Sequence, residues 1–183
     1  ATLNDGDKVL YCPPTFSLFE LYVPIYGGQL VDCPIGPGQE FPLDKILTAI
    51  DAEKPKVVLL CSPNNPTGVE ISPNDIETIL EAYSGLVFLD EAYGEFASWS
   101  GIDKIEKYKN LIISRTFSKA YSMAGLRFGY FIAQKKIIDQ LRKVNLPYNV
   151  NLLTEAVVSR LIDNDDEMKK QVEFLKDERE RVF

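Results

Sequence analysis

Two short runs, Val57-Val58-Leu59-Leu60 and Leu86-Val87-Phe88-Leu89, are apolar without a break. A strand with one wet face alternates apolar and polar residues, so an unbroken run marks a strand buried on both sides. That is the pattern of a parallel sheet lying between helices. The segments around these runs carry the other period. Leu43, Ile46, Leu47 and Ile50 recur at helical spacing over 43–52, and Ile76, Ile79, Leu80 and Tyr83 recur after Ser72-Pro73-Asn74-Asp75. That tetrad signals a helix start three times: Ser72 to cap, Pro73 in the first turn, and an acid, Asp75, three residues after the cap. Upstream, 8–12 and 29–33 are further strand patterns. Thr15 is placed to cap a helix running from about Phe16 towards Ile25, which Pro24 kinks or ends early and Gly27-Gly28 stop. Strand and helix thus alternate to about residue 90. The expectation is an α/β fold, three layers α/β/α, with a mostly parallel sheet. Segments 137–144, 152–162 and 168–182 are expected to be helical.

Ligands of such sheets gather at the ends of strands. Three polar segments sit at such ends. One is 62–68, which follows the first apolar run and contains Asn65. A second is Asp90-Glu91-Ala92-Tyr93, which closes the Leu86 run. The third lies between Leu111-Ile112-Ile113 and the apolar run 128–133, and it holds Thr116, Ser118, Lys119 and Arg127. A buried ammonium without a partner is costly and shifts its pKa, and lysines so placed form Schiff bases with carbonyl groups. Hydroxyls and the planar fork of an arginine suit phosphate oxygens. Lysine, hydroxyls and arginine together point to a phosphorylated carbonyl cofactor.

Composition narrows the chemistry. The chain of 183 residues has no histidine, which excludes a Ser-His-Asp triad, a histidine general base and the usual zinc sites. A net charge of −7 with no basic stripe argues against nucleic acid as a partner. The apolar runs are too short to span a bilayer, and the first residues are polar rather than a leader. Three cysteines, an odd number at wide spacing, read as buried thiols of a cytoplasmic protein. With no initiating methionine and a strand pattern close to its start, the chain is expected to be a piece of a longer protein.

The stretch Arg115-Thr116-Phe117-Ser118-Lys119-Ala120, continued by Ala124-Gly125-Leu126-Arg127-Phe128-Gly129-Tyr130, resembles the lysine motif of the fold-type I pyridoxal-phosphate aminotransferases. In its detailed form it is most similar to the histidinol-phosphate aminotransferases. The resemblance continues through Ser62-Pro63-Asn64-Asn65-Pro66-Thr67-Gly68, Asp90-Glu91-Ala92-Tyr93 and Leu146-Pro147-Tyr148-Asn149-Val150, in family order across essentially the whole chain. It implies that residues 1–183 form the large, cofactor-binding domain. The family's N-terminal segment and its small C-terminal domain, with the arginine that grips the substrate carboxylate, would lie outside.

By the same resemblance Lys119 holds pyridoxal 5'-phosphate and moves the proton, and Asp90 partners the pyridine nitrogen. Asn65 and Tyr93 donate to the phenolate oxygen, Thr116, Ser118 and Arg127 bind the phosphate, and Phe16 lies against the ring. Several have a plainer alternative: an exposed lysine for Lys119, a helix cap or turn residue for Asp90, a turn residue for Asn65, an ion-pair residue for Arg127, a core aromatic for Phe16. Glu91 is left as a structural ion-pair residue and Arg115 as structural. Tyr121, Tyr130 and Tyr148 are expected to pack, Tyr148 with a possible place near the substrate. The implied reaction is amino transfer between L-histidinol phosphate and 2-oxoglutarate, small molecules both, by a homodimeric full-length enzyme. The alternatives are a threonine-phosphate decarboxylase, a broad-specificity aminotransferase, and a non-catalytic sensor domain of a transcription regulator. The decarboxylases typically carry Leu-Thr-Lys where this chain has Phe117-Ser118-Lys119.

Overall fold

A computed structural model describes residues 2–182. Six strands form one sheet in the order β2-β1-β3-β4-β5-β6. They are β1 (Lys8–Tyr11), β2 (Gln29–Asp32), β3 (Val57–Cys61), β4 (Leu86–Asp90), β5 (Leu111–Thr116) and β6 (Gly129–Ala133). Helices α1 (Leu18–Ile25), α2 (Leu43–Glu53) and α3 (Pro73–Ala82) connect the first four strands, and α4 (Lys135–Arg142), α5 (Leu152–Ile162) and α6 (Asp166–Val182) follow the sheet. The first five strands are mutually parallel. β6 returns antiparallel to β5, because residues 117–128 turn back without a crossover helix. The order reverses beside β1: the chain steps outwards to β2, then inwards past β1 to β3. Such a reversal opens a crevice between the loops that leave β1 and β3.

One face of the sheet is fully covered. Leu10, Val58, Leu60, Val87, Leu89, Leu111 and Ile113 pack against Ile46 and Ile50 of α2 and Ile76, Ile79 and Leu80 of α3. The helical spacings read from the sequence therefore supply this core. The other face is covered over β1 and β3 by Val23 of α1, with Val9 and Val57 beneath it. Further along that face Phe88 is only half-buried, and Phe131 at the β6 end is 52% exposed with its ring edge-on to Phe88 at 5.9 Å. The unbroken apolar runs thus predict two covered faces where this chain fills one and part of the other.

The start of α3 is as expected. Ser72 Oγ accepts from the Asp75 backbone N–H at 3.1 Å, and Pro73 occupies the first turn, where its missing N–H costs nothing. Ser72→Ala is expected to cost about 1 kcal/mol, seen as a lower urea midpoint at unchanged slope. The start of α1 differs. It begins at Leu18 after Ser17, with no side-chain cap. Thr15 does not cap it, because its hydroxyl donates instead to Asn64 Oδ1 at 2.6 Å, across the crevice. Pro24 lies inside the last turn without ending it, and the chain leaves through Gly27 at φ 78°. Tyr121 packs on Phe117, with ring centroids 4.3 Å apart. Tyr148 does not pack: it is 97% exposed at φ 61°, in a segment after α4 that has no core to bury it.

Candidate active site

Parallel pairing fixes where the polar segments emerge. The register sets Cys61 opposite Asp90 and Asp90 opposite Ser114, so β3, β4 and β5 end at one level on one edge. Residues 62–68, 90–93 and 116–119 leave the sheet together there.

Asp90 is mostly enclosed at this edge. Its Oδ1 accepts from Ser114 Oγ at 2.7 Å and from the Ala92 N–H at 3.0 Å. Among the described residues Oδ2 accepts no hydrogen bond. Burial pushes the Asp90 carboxyl above the ordinary carboxylate range. The two hydrogen bonds work against that, Glu91 adds to it, and the Lys119 ammonium opposes it. A carboxylate so placed costs the fold something when it ionises, and a cation laid on its free oxygen would recover that cost. The folded form holds its proton more tightly than the unfolded chain, so this cost appears as pH rises from 3.8 through the raised value. Asp90→Asn keeps both hydrogen bonds and removes the charge. It is expected to raise the melting temperature of the cofactor-free protein at pH 7, with the gain shrinking as pH falls towards 3.8.

Lys119, expected from the sequence as a buried ammonium, is instead exposed, because it stands on the return loop between β5 and β6, with its Nζ 5.1 Å from the Tyr93 ring centroid. It makes no ion pair among the described residues. The loop is anchored by Phe117, 2% exposed, whose ring meets Tyr121 and Phe128. Thr116 Oγ1 donates to the Phe128 carbonyl at 3.2 Å and accepts from the Ser118 N–H at 3.1 Å, so this hydroxyl shapes the turn. Ser118 Oγ has no partner among the described residues. Arg127 is brought back beside this turn by the backbone bond from Phe117 N–H to the Phe128 carbonyl. Arg127 itself is left-handed at φ 53°, and its guanidinium donates to the Ala124 carbonyl at 2.8 Å rather than to Thr116 or Ser118.

Asn65 and Tyr93 share a cleft of about 320 Å³ that Glu70, Phe96 and Arg179 also line. Phe16 lies on the neighbouring loop, half-buried, edge-on to Phe19 at 5.7 Å. The two loops are tied at the switch point by Asn64. It receives the Thr15 hydroxyl and donates to the Pro14 carbonyl at 2.9 Å and to Thr67 Oγ1 at 2.8 Å.

On the opposite side of the β4–β5 edge, Arg115 pairs with Glu91 at 2.7 Å and Glu95 at 2.9 Å, with all three side chains at most 11% exposed. The sequence reading left Arg115 and Glu91 structural, and here they form a buried pair. Sequence reasoning missed Ser114, which becomes visible only once the register sets it against Asp90. It also missed Asn64, which the motif 62–68 contains without marking it out from its neighbours, and Glu70 and Arg179, which nothing local marks.

A doubly wound sheet with an amine, an enclosed carboxylate and one unpartnered hydroxyl among the described residues at one strand edge defines an α/β domain with the groups to hold a small polar ligand. The chain belongs to the aminotransferase class I and II family, whose profile matches residues 1–183. It is 36% identical over 183 residues to the histidinol-phosphate aminotransferase of Thermoanaerobacter sp. (strain X514), covering 100% of this chain and 52% of that protein. Its fold matches the histidinol-phosphate aminotransferase of Sinorhizobium meliloti, solved in complex with pyridoxal-5'-phosphate, with TM-score 0.91 and 27% identity over 98% of this chain and 50% of that one. A decarboxylase from Sulfurospirillum multivorans is also similar, with TM-score 0.86 and 26% identity over 98% of this chain and 54% of that one. The chain spans about half the length of the curated relatives it matches.

Proposed function

We propose that these 183 residues are the cofactor-holding part of a pyridoxal-phosphate enzyme that moves an amino group between L-histidinol phosphate and 2-oxoglutarate. The observation that carries this reading is the edge itself. A lysine without an ion pair, a buried carboxylate with one free oxygen and an unpartnered serine hydroxyl emerge together from β4 and β5. Those residues fit the cofactor's chemistry: an aldehyde for the amine, a basic ring nitrogen for the carboxylate, a phosphate for hydroxyls and a guanidinium. When bound, the cofactor supplies a carbonyl that links to amines and a ring that accepts the electrons left behind by a departing proton.

Asp90 would keep the ring nitrogen protonated through its free oxygen. Asn65 and Tyr93 would donate to the phenolic oxygen, and Phe16 would offer an aromatic face. Thr116, Ser118 and Arg127 would hold the phosphate, for which Arg127 must exchange the Ala124 carbonyl for phosphate oxygens. The Lys119 amine would anchor the cofactor, and as a free amine it would be the group placed to take up and give back the proton of the substrate carbon that bears the nitrogen.

The large exposed side chains of α1 and the residue after it, Leu21, Tyr22, Ile25 and Tyr26 at 49–67% exposure, support a homodimer in which more protein covers this surface. No helix among the described residues is long and apolar enough to cross a membrane, and all three cysteines are free and buried, which supports a cytoplasmic setting.

The test uses a protein that extends these residues to the length of the relatives. It is incubated with pyridoxal 5'-phosphate, L-histidinol phosphate and 2-oxoglutarate, and glutamate is measured. A decarboxylase is the second reading, favoured by the likeness to the Sulfurospirillum protein and disfavoured by Phe117-Ser118-Lys119. Release of carbon dioxide from a phosphorylated amino acid, with no glutamate formed, would decide for it.

A further inference from the structure

Arg115 is adjacent to the proposed site in sequence yet faces away from it. Side chains alternate along β5, so Ser114, which holds Asp90, and Thr116, which shapes the lysine turn, share one face while Arg115 points to the other. There its Nε donates to Glu91 Oε2 at 2.9 Å, its Nη1 to Glu95 Oε1 at 2.9 Å, and its Nη2 to Ser100 Oγ at 3.0 Å. Glu91 is held in turn by the Gly101 N–H at 2.7 Å and by Ser100 Oγ at 2.8 Å. The guanidinium lies flat against bare backbone, since a Cβ on Gly94 would sit 2.6 Å from Arg115 Cζ. Every partner except Ser100 and Gly101 therefore belongs to the turn that contains Asp90 and Tyr93.

Stability alone is a weak reason for such a cluster. Two carboxylates around one guanidinium leave an excess negative charge, and Glu95 Oε2 is buried without a partner among the described residues. Apolar side chains of similar volume commonly match or exceed the stability of buried ion groups. What apolar packing cannot supply is direction. A planar fork bonded to two carboxylates fixes one strand end against another to within a fraction of an ångström.

We propose that Arg115 is a positioning residue, clamping the turn after β4 to the end of β5 so that Asp90 and Lys119 keep the spacing one cofactor requires. This rests on the proposed cofactor role of Asp90 and Lys119. Burial acts against the charged form of Arg115, but Glu91 and Glu95 outweigh it and hold the guanidinium protonated. The clamp therefore stays closed over any pH at which the protein is folded and those carboxylates are ionised.

The experiment titrates the full-length protein with pyridoxal 5'-phosphate and repeats this for Arg115→Lys, Asp90→Asn and the double variant. Lysine keeps the charge but loses the fork. The expected result is an Arg115→Lys protein with wild-type circular dichroism and a cofactor affinity lower by about tenfold, the usual size of an outer-partner effect. In the Asp90→Asn background the same change should cost much less, because the contact being positioned is already lost. An Arg115→Lys protein that binds the cofactor as wild type does, or loses the same factor in both backgrounds, would overturn the proposal. If Arg115→Lys does not fold, Glu95→Gln opens one arm of the clamp and is held to the same comparison, with a smaller loss. A wild-type protein that takes up no cofactor would overturn the proposed function itself. Wild-type uptake with equal uptake by the variants would overturn only the role of Arg115.

Discussion

Lys119→Ala in the full-length protein is expected to abolish the covalent cofactor adduct that borohydride fixes, and to reduce turnover to background. Other lysines near carboxylates are committed. Lys8 pairs with Glu53, Lys56 with Asp7, Lys104 with Glu77, and Lys169 with Asp165. A paired ammonium must lose both its partner and its proton before it can attack a carbonyl. Lys119 has no such partner among the described residues, and what separates it from other unpaired lysines such as Lys54 and Lys109 is its neighbourhood, the face of Tyr93 with Asp90 close enough to feel its charge. On the proposed reading, removing Lys119 would take away both the anchoring amine and the base for the substrate proton, and positioned proton transfer alone is worth on the order of a hundred- to ten-thousandfold. Peptide mass mapping of the reduced wild-type protein checks the assignment. An adduct found on any other lysine, or an undiminished adduct in the Ala variant, would remove Lys119 from the site.

Much of this arrangement can be read from the sequence because it rests on local signals. The unbroken runs at Val57 and Leu86 give the central strands. The Ser72-Pro73-Asp75 start gives α3, and strand ends mark the three polar segments. What could not be read depends on distance in the chain. Ser114 looks like any strand-end serine until parallel pairing sets it against Asp90. Thr15 carries the mark of a helix cap, but its hydroxyl is taken by Asn64, 49 residues away. Glu95 looks like an exposed acid in a loop, and only the return of β5 brings Arg115 to bury it. Phe131 and Tyr148 carry the chemistry of core residues and lie open, because apolar character says that a side chain should be covered and not by what. In a chain about half as long as its relatives, the cover need not lie within the same 183 residues.

The second large effect is expected at Asp90, where stability and catalysis should move in opposite directions. In the cofactor-free fold the carboxylate is a burden: burial raises its pKa, and only Ser114 and the Ala92 N–H compensate. If Asp90 partners a protonated ring nitrogen as proposed, the same burial would become useful, because the pair would sit where solvent does not screen it. Asn in this position keeps the shape and both hydrogen bonds to Oδ1, yet it cannot favour the protonated ring. Losing one preorganised electrostatic partner costs about a hundred- to a thousandfold in rate. The loss should fall on kcat more than on cofactor affinity, since the proposed phosphate ligands and Lys119 are untouched. Asp90→Asn should therefore melt higher than wild type when empty at pH 7, bind pyridoxal 5'-phosphate about tenfold or more weakly for want of one charge-assisted contact, and turn over two to three orders of magnitude more slowly, the rate loss set by that same electrostatic partner. Asp90→Glu separates charge from geometry: it restores the carboxylate one methylene too far out and should recover part of the rate. Near-normal single-turnover amino transfer in the Asn variant would show that the ring nitrogen finds its proton elsewhere. Asp90 would then be what its position at a strand end otherwise suggests, a turn residue held by Ser114.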